Sequence, residues 1–397
     1  MLLNNVTVRA ARDAGAGTRA GYTRTNKNTY MNPGLRHVLL QFDPQLNRTQ
    51  GGKQNGKEER GDLSVAVEIG DTLWVASDET VRLTRLARQG EDAYASHAVF
   101  DIAIFVDSPG KDDAEADLEG LDYADGYLWM TGSHSLKRGK PDPDKKAGKN
   151  LEALAQVTTD SNRFLLARIA VVTQDGVPTL AAEANGEASK RRTAALLRST
   201  PRGNDLTDAL AADEHLAWSL AIPSNDNGLD IEGLAVSGAH VFLGLRGPVL
   251  RGWAVVLELQ MKDGDKGELK LKKIGPKGRK YRKHFLDLRG LGIREMCLDG
   301  DDLLLLAGPT MSLDGPAAVY RWQGGANPPG DEDTVVFDDR IEKMLDVPHG
   351  TGEDHAEGMT FRRLGGDERR SLLLVYDSPS PARLGGEAGF LADVFDL

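Results

Sequence analysis

The chain has 397 residues, which is enough for one large all-β domain or for two domains of average size. Its formal charge at pH 7 is -11, from 60 acidic and 49 basic residues, which argues against nucleic acid or an anionic membrane as the main partner. The lone cysteine, Cys297, excludes a disulfide within the chain.

The first residues contain no charged segment followed by a long apolar stretch, and no run of about 18 apolar residues occurs further along. We therefore expect neither a signal peptide nor a membrane span, and by default a cytoplasmic location. We expect the segment 1–34 to be partly irregular and a single domain to cover 35–397.

The first strand-like run, LRHVLLQFD, covers 35–43. The last such run, GFLADVFDL, covers 389–397 and follows only two other strands of its own repeat unit. We expect 35–43 to supply the missing fourth strand and so to close a ring of β-sheets, which removes two exposed sheet edges. The alternative is a separate edge strand.

A hairpin pattern recurs along the chain: an apolar run, a turn rich in Gly and Asp, and a second apolar run. The copies begin at Asp62, Asp117, Asp230, Gly292 and His355. The spacing inside the first four copies is constant, at 14 positions, as shown by the pairs Ser64 and Asp78, Glu119 and Ser133, Glu232 and Arg246, and Glu295 and Pro309. A longer turn in the fifth copy separates Glu357 from Asp377.

Further strand-like runs follow most hairpins, which gives about four strands per unit, the pattern of a β-propeller. The interval between the second and third copies is about twice the others. We attribute it to loop or helical insertions at about 135–162 and 186–218, which predicts five four-stranded blades. A degenerate sixth blade is the alternative.

In a propeller, the start of the first strand and the end of the second meet at one end of the central channel, its mouth. The acids at the strand starts, Glu119, Glu232, Glu295 and Glu357, would then converge there, with Arg246 beside them. Converging carboxylates need a cation or a guanidinium, and oxygen ligands suit Ca²⁺ or Mg²⁺ better than zinc. Alternatively, each Glu accepts backbone N–H groups and the following glycine only allows close packing.

The stretch NGLDIEGLAVSGAHVFLGLRGPVLRGWAVVLEL, over 227–259, closely resembles the signature of a bacterial family known as domain of unknown function 3616. DLEGLDYADGYLWMTGSHSLKR, NRFLLARI, LAGPTMSLDGPAAVYRW and HAEGMT are similar to further segments of that family. The resemblance implies a propeller similar to phytase-like and SdiA-regulated propellers. These relatives imply metal-dependent phosphoester hydrolysis or ligand binding at the channel mouth.

We accordingly predict a divalent-metal-dependent hydrolase, with Ca²⁺ favoured, that acts on a small anionic, phosphate-ester-like substrate. The alternative is a non-catalytic propeller with a structural ion site that binds a ligand or a protein. The predicted roles are metal binding for Glu119, Glu232 and Glu357, substrate binding for Arg246, Arg251, Lys137 and Arg383, and catalysis for His134, His355 and Asp377. Glu295 departs from the pattern because Met296 replaces the glycine that follows the other acids.

Overall fold

The fold consists mainly of short strands, most of them paired antiparallel. The computed structural model describes residues 34–48, 56–107, 110, 116–185, 191–363 and 370–397. The predicted irregular segment 1–34 lies outside these residues except for its last position. In the described ranges, no helix has both the length and the apolar character that a membrane crossing requires.

The first strand, β1 (Leu35–Gln41), precedes the first four-stranded group and belongs to the fifth. The strands of the first group are β2 (Leu63–Ile69), β3 (Thr72–Ser77), β4 (Arg82–Arg88) and β5 (Ala93–Asp101). They pair in chain order, each antiparallel to the next. A glycine at positive φ, Gly70, allows the two-residue turn between β2 and β3.

The second group is interrupted by additional elements. Its elements in chain order are β6 (Leu118–Ala124), β7 (Tyr127–Gly132), β8 (Lys137–Arg138), α1 (Ala147–Ala155), β9 (Val157–Thr158), β10 (Leu166–Gln174), β11 (Val177–Ala181), β12 (Glu183–Asn185), β13 (Arg191–Thr193), β14 (Ala195–Leu197), β15 (Ser199–Thr200), β16 (Gly203–Asn204) and α2 (Asp205–Leu210). Strands β6, β7, β10 and β11 pair in that order. The predicted insertions therefore contain short hairpins and the two α-helices.

The third and fourth groups are more regular. The third contains β17 (Asp230–Ser237), β18 (His240–Gly247), β19 (Trp253–Asp263), β20 (Glu268–Leu271) and β21 (Tyr281–Asp287), and the fourth contains β22 (Gly292–Asp299), β23 (Asp302–Gly308), β24 (Ala317–Trp322), β25 (Thr334–Val336) and β26 (Ile341–Val347). The main pairings are β17-β18-β19-β21 and β22-β23-β24-β26. Strands β20 and β25 run parallel to β14 and β21 and extend the sheets sideways.

The fifth group combines the two ends of the described chain. It contains β27 (His355–Arg363), β28 (Arg370–Asp377), β29 (Leu384–Gly385), β30 (Gly389–Asp396) and β1. Strand β1 pairs with β30 antiparallel along its whole length, from Leu35 opposite Phe395 to Gln41 opposite Gly389. It also has a short parallel pairing with β5. The predicted closing strand is therefore confirmed.

The inner strands of the groups, β2, β6, β17, β22 and β27, pack side by side in chain order, and the last also packs against the first. The apolar core lies between adjacent groups. Phe242 and Ile293, for example, meet between the third and fourth groups. Since neighbouring groups cover both faces of the inner strands, most residues of these strands are buried.

Candidate functional site

Each of the five inner strands carries a β-bulge near its start. The hairpin register slips by one residue at the same place in all five, so one residue per strand has no partner on the second strand. A bulge re-aims its side chain and is common at the rims of closed β structures. Because the inner strands surround one axis, the bulged residues form a ring, which we call the mouth ring: Ser64, Glu119, Glu232, Arg294 and Glu357.

Two arginines bridge one side of the mouth ring. Arg246 Nη2 lies 2.5 Å from Asp230 Oδ2, and Arg246 Nε lies 2.9 Å from Glu232 Oε1. Arg294 Nη1 lies 3.3 Å from Glu232 Oε2 and 2.5 Å from Glu357 Oε1. These side chains are mostly buried, so the two guanidinium groups supply counter-charges that buried carboxylates require.

The other side of the mouth ring has no such bridge. Ser64 donates its hydroxyl to the carbonyl oxygen of Leu118 at 2.6 Å and brings no charge. Glu119 is only 8% exposed, and within the described ranges neither a hydrogen-bond donor nor a cation contacts its carboxylate. Oδ1 of Asp78, at the end of β3, is also buried without a hydrogen-bond partner in the part of the chain that the structure describes. In the described ranges, therefore, neither Glu119 nor Asp78 forms an ion pair.

Burial and mutual repulsion raise the pKa values of these two acids. Burial first, and then the charge of Glu232, raises the pKa of Glu119 well above its usual range. Burial first, and then the charge of Asp117, raises the pKa of Asp78 in the same way. Acids with raised pKa values hold protons near neutral pH, and a cation that approaches them replaces those protons favourably.

The bridged acids are also affected by burial. Burial and the charge of Asp377 raise the pKa of Glu357 to about 8, and Arg294 only partly opposes this rise. Burial raises the pKa of Asp230 to about 6, against the opposing charge of Arg246. The mouth as a whole therefore carries more carboxylate than its arginines neutralise.

A third arginine lies next to the mouth ring, in the short 3₁₀ helix Ser161–Phe164. Arg163 Nη1 lies 2.6 Å from Asp117 Oδ2, and Arg163 Nη2 donates to Asp117 Oδ1 at 2.9 Å. The same guanidinium also donates to Ser135 Oγ at 2.6 Å and to Ser133 Oγ at 3.4 Å. Sequence reasoning missed Arg163 because it lies between strands and outside the repeat.

His134, predicted to be catalytic, is buried beside this cluster. Its Nδ1 lies 2.8 Å from the carbonyl oxygen of Gly132, and its Nε2 lies 2.7 Å from Asn204 Nδ2. Burial lowers the pKa of His134 to about 4, so the ring is neutral at physiological pH. Both ring nitrogens are therefore already engaged in holding the α2 segment to β7, and the geometry gives no support to a catalytic role.

His355 and Asp377 lie at the partly exposed rim, next to Glu357. His355 Nε2 lies 3.0 Å from Asp314 Oδ1, and His355 Nδ1 lies 3.7 Å from Asp377 Oδ2. The interaction with Asp377 is the main cause that raises the pKa of His355. The structure therefore brings these two predicted residues together and places them beside the mouth ring.

The remaining predicted residues lie in other surroundings. Both terminal nitrogens of Arg383 donate to Asp393, at 2.8 and 3.0 Å, and its Nε lies 2.9 Å from Asp354 Oδ1. Lys137 pairs with Thr158 in the β8–β9 hairpin. Arg251 lies in the exposed turn between β18 and β19. None of these three positions is on an inner strand.

The fourth copy of the repeat is shifted by one residue from the alignment that the sequence suggested. Ile293 pairs with Ala307 and Glu295 pairs with Leu306, which leaves Arg294 as the bulged residue. Arg294, and not Glu295, is therefore the counterpart of the bulged glutamates. A signal for this was available in the sequence, because aligning Ile293 with Ile231 of the third copy places Arg294 opposite Glu232.

Glu295 takes the place of the glycine that follows each bulged glutamate. Its Oε1 accepts hydrogen bonds from the backbone N–H groups of Leu234, at 3.2 Å, and Met296, at 2.8 Å. It thus links the third and fourth groups away from the mouth ring. The expectation that Glu295 converges with the other acids is wrong.

The glycine after the bulged glutamate is required for close packing of neighbouring groups. A Cβ atom on Gly120 would lie 2.7 Å from Leu234 Cβ, and one on Gly358 would lie 2.8 Å from the carbonyl carbon of Val65. Both distances are shorter than van der Waals contact allows. The Glu-Gly step therefore combines an interface element, the glycine, with a mouth-ring element, the glutamate.

The acids of the mouth are spread around the axis. Within the described ranges, no three His, Cys, Asp or Glu side chains are close enough together to hold one metal ion. A Ca²⁺ site needs about six to eight oxygen ligands at roughly 2.3–2.6 Å. The arrangement of Glu119, Glu232 and Glu357 described here does not fit that requirement, and the Ca²⁺ site stays a prediction.

The far ends of the inner strands surround a different concavity, with a volume of about 630 Å³. It is lined by apolar side chains such as Leu121 and Met359 together with charged ones such as Glu68, Asp122 and Arg363. The far concavity therefore combines apolar and charged side chains and contains none of the mouth-ring residues.

An all-β chain whose inner strands present charged side chains at one end of a common axis is a propeller-type protein. The family follows from comparison of the sequence: the chain belongs to the family described as Protein of unknown function (DUF3616), whose model matches residues 62–393. The resemblance inferred from the sequence is confirmed. No curated protein has a significant sequence match to the chain.

Solved structures similar to this chain include a streptogramin B lyase, with 11% identity, a TM-score of 0.34 and coverage of 93% of this chain and 99% of that one. Native arabinanase Arb43A from Bacillus subtilis has 12% identity, a TM-score of 0.34 and coverage of 86% and 95%. Hydrazine synthase from Kuenenia stuttgartiensis has 8% identity and a TM-score of 0.32. That match covers 82% of this chain and only 58% of the hydrazine synthase chain. At these TM-scores, the likenesses carry no argument about function.

Proposed function

We propose that the chain is a five-bladed β-propeller that binds a small cation at its mouth ring. Five four-stranded groups in the described residues, with inner strands that pack in ring order, support the blade number. The protein would then be a binding module, and the cation would bind at the side of the mouth that includes Ser64, Asp78 and Glu119.

The observation that carries this proposal is the isolation of Glu119. The residue is only 8% exposed, and in the described ranges neither a hydrogen-bond donor nor a cation contacts its carboxylate. A buried carboxylate without a partner costs several kcal/mol when ionised. A bound cation removes that cost, so occupation of the site is favourable.

The charge balance of the mouth points in the same direction. In the part of the chain that the structure describes, the mouth acids contact three arginines, Arg246, Arg294 and Arg163. The acids are more numerous: Asp78, Asp117, Glu119, Asp230, Glu232, Glu357 and Asp377. Carboxyl groups therefore outnumber guanidinium groups at the mouth, which suits a cationic ligand better than an anionic one.

The test is isothermal titration calorimetry with a panel of inorganic and organic cations at pH 8. We expect at least one cation to bind to the wild-type protein and to lose its binding in Glu119→Gln. The matched control is Glu152→Gln, since the Glu152 side chain is 69% exposed on α1. If every cation bound equally to wild type and Glu119→Gln, the proposal would be wrong.

Hydrolysis of an anionic phosphate ester, predicted from the sequence, has weaker support. Arg246 and Arg383 would hold the anion, but carboxylates already engage both guanidinium groups. The feature in favour of hydrolysis is His355 beside Asp377 and Glu357, a group suited to proton transfer. Assays with p-nitrophenyl phosphate and Ca²⁺ or Mg²⁺ test it, and the activity should disappear in His355→Ala.

A further inference from the structure

The further inference concerns the chemical class of the cation and rests on the proposed function. We propose that the mouth ring recognises a guanidinium group, carried by a small alkyl guanidinium or by an arginine side chain of a peptide. The arrangement of the ring residues and of the two arginines that already occupy it supports this choice over a metal ion.

The protein's own contacts show which cation the spacing of the mouth acids accommodates. Arg246 connects Asp230 to Glu232, and Arg294 connects Glu232 to Glu357. In each case one planar guanidinium spans two carboxylates from different positions of the rim. A guanidinium carries five N–H donors in a rigid fork and suits such pairs of carboxylates.

Ring order identifies where a third guanidinium fits. Going around the axis, Arg294 lies between Glu232 and Glu357, and Ser64 lies between Glu357 and Glu119. Arg294 and Ser64 are thus equivalent positions, each between two glutamates, but only Arg294 supplies a cation. Ser64 is short and neutral, and its hydroxyl is directed to a backbone carbonyl.

The acids around Ser64 satisfy the needs of such a ligand. Glu119 is nine-tenths buried without a donor partner in the described ranges, and Oδ1 of Asp78 is buried and also unpartnered there. Glu119 and Glu357 flank Ser64 in the ring order, and Asp78 directly follows β3, the hairpin partner of β2, at the end where Ser64 lies. Glu357 and Asp377 are partly exposed, which leaves a route from solvent.

A single metal ion fits this arrangement less well. No three potential ligands in the described ranges are close enough together to share one ion. An ion of that size would need the carboxylates to move inward, against their mutual repulsion. A guanidinium distributes its charge and its donors over several ångströms and contacts the acids where they are.

The experiment compares three probes by calorimetry at pH 8 and low salt: agmatine, 1,4-diaminobutane and CaCl₂. Agmatine carries a guanidinium, whereas 1,4-diaminobutane has the same charge and only amines. We expect agmatine to bind at least tenfold more tightly than the other two, and Glu119→Gln to weaken its binding at least tenfold. An arginine-containing tripeptide with blocked ends, compared with agmatine, distinguishes a peptide source from a small-molecule source.

Two variants keep the test decisive. Arg294→Ala creates a second gap between glutamates, and methylguanidinium should raise its melting temperature more than that of wild type. Ser64→Arg places a guanidinium in the chain, so the folded variant should not bind agmatine. If Ser64→Arg does not fold, the binding of agmatine to Glu119→Gln decides whether the inference holds.

The outcomes separate this inference from the proposed function. Binding of Ca²⁺ alone, dependent on Glu119, overturns the guanidinium inference and leaves the cation-binding function intact. Equal binding of agmatine and 1,4-diaminobutane also overturns the inference, because the positive charge of the ligand would then explain recognition without its guanidinium group. Absence of binding by every cation overturns both.

Discussion

Arg294 Nη1 lies 2.5 Å from Glu357 Oε1 and thereby joins the inner strands of the fourth and fifth groups at the mouth ring. Both residues occupy β-bulges in their hairpins. Two equivalent bulges thus carry opposite charges and form a buried ion pair. The fourth copy thus has an arginine where the second, third and fifth copies have a glutamate, and this arginine contacts two of those glutamates.

Replacing Arg294 by methionine should destabilise the protein by about 3–5 kcal/mol, because removal of one partner leaves buried charges uncompensated. Glu232 and Glu357 would both lose their shared guanidinium. Urea unfolding at pH 8 measures the change. Adding Glu357→Gln to the Arg294→Met background should restore part of the lost stability.

The control for Arg294→Met is Arg191→Met. Arg191 forms an exposed ion pair with Glu183, and such pairs contribute only about 0–1 kcal/mol. Similar losses of stability in Arg294→Met and Arg191→Met would contradict the view that the mouth acids depend on Arg294.

Replacing Glu119 by glutamine should stabilise the ligand-free protein at pH 8 by about 1–3 kcal/mol, since the folded state then neither buries a charge nor retains a proton that the unfolded chain releases. At pH 4.5 the gain should vanish, because the raised pKa keeps Glu119 protonated there in the folded state. Thermal unfolding at the two pH values, with Glu152→Gln as the control, measures both effects. A loss of stability at both pH values would mean that the carboxylate accepts an important hydrogen bond.

The ligand-free protein should lose stability as the pH rises from about 5 to 8. The pKa of Glu357 is raised from 4.5 to about 8, so the unfolded chain releases this proton before the folded chain does. Its contribution is complete below the unfolded pKa and is lost as the pH rises through the folded value, with a slope of up to about 1.4 kcal/mol per pH unit. The raised pKa of His355 adds a change of the same sign.

Melting temperatures between pH 5 and 9, at low salt, check this dependence. Glu357→Gln should reduce the slope, whereas Glu152→Gln should leave it unchanged. A stability profile that rises between pH 5 and 8 would show that Glu357 is ionised throughout this range.

Replacing Glu295 by glutamine should change the free energy of unfolding by less than about 1 kcal/mol. Burial raises the pKa of Glu295 well above its usual range, so the folded state holds a neutral acid that glutamine resembles. Glu295→Leu should cost about 2–4 kcal/mol, because the N–H groups of Leu234 and Met296 would lose their acceptor.

Cation binding separates Glu295 from the mouth ring. Glu295→Gln should bind the same cations as wild type, in contrast to Glu119→Gln. A similar loss of cation binding in Glu295→Gln and Glu119→Gln would show that Glu295 also takes part in the site.

The repeat made much of the fold predictable. The constant hairpin spacing identified all five inner strands, and the apolar run at 35–43 identified the closing strand because the last repeat lacked one. The spacing could not set the register of the fourth copy. There the glutamate that guided the alignment is Glu295, one residue after the true bulge at Arg294.

Charge partners were harder to predict than positions. Spacing along the chain placed Glu119, Glu232 and Glu357 at one end of the ring, but it could not show which arginines reach them. Arg383 is held by Asp393 within the fifth group, whereas Arg163 approaches the mouth from a loop without any repeat. Such contacts depend on three-dimensional burial and on side-chain reach.

The pairing of β1 with β30 determines when the molecule can finish folding during synthesis. Arg36 and Asp396 form an ion pair although they are separated by 360 positions in the sequence. On the ribosome, β1 emerges long before β30 and has no antiparallel partner until β30 follows. The growing chain therefore keeps unpaired strand edges for most of its translation, the period in which pairing with other chains is the main hazard. Closure by such distant strands also makes the final step slow relative to hairpin formation.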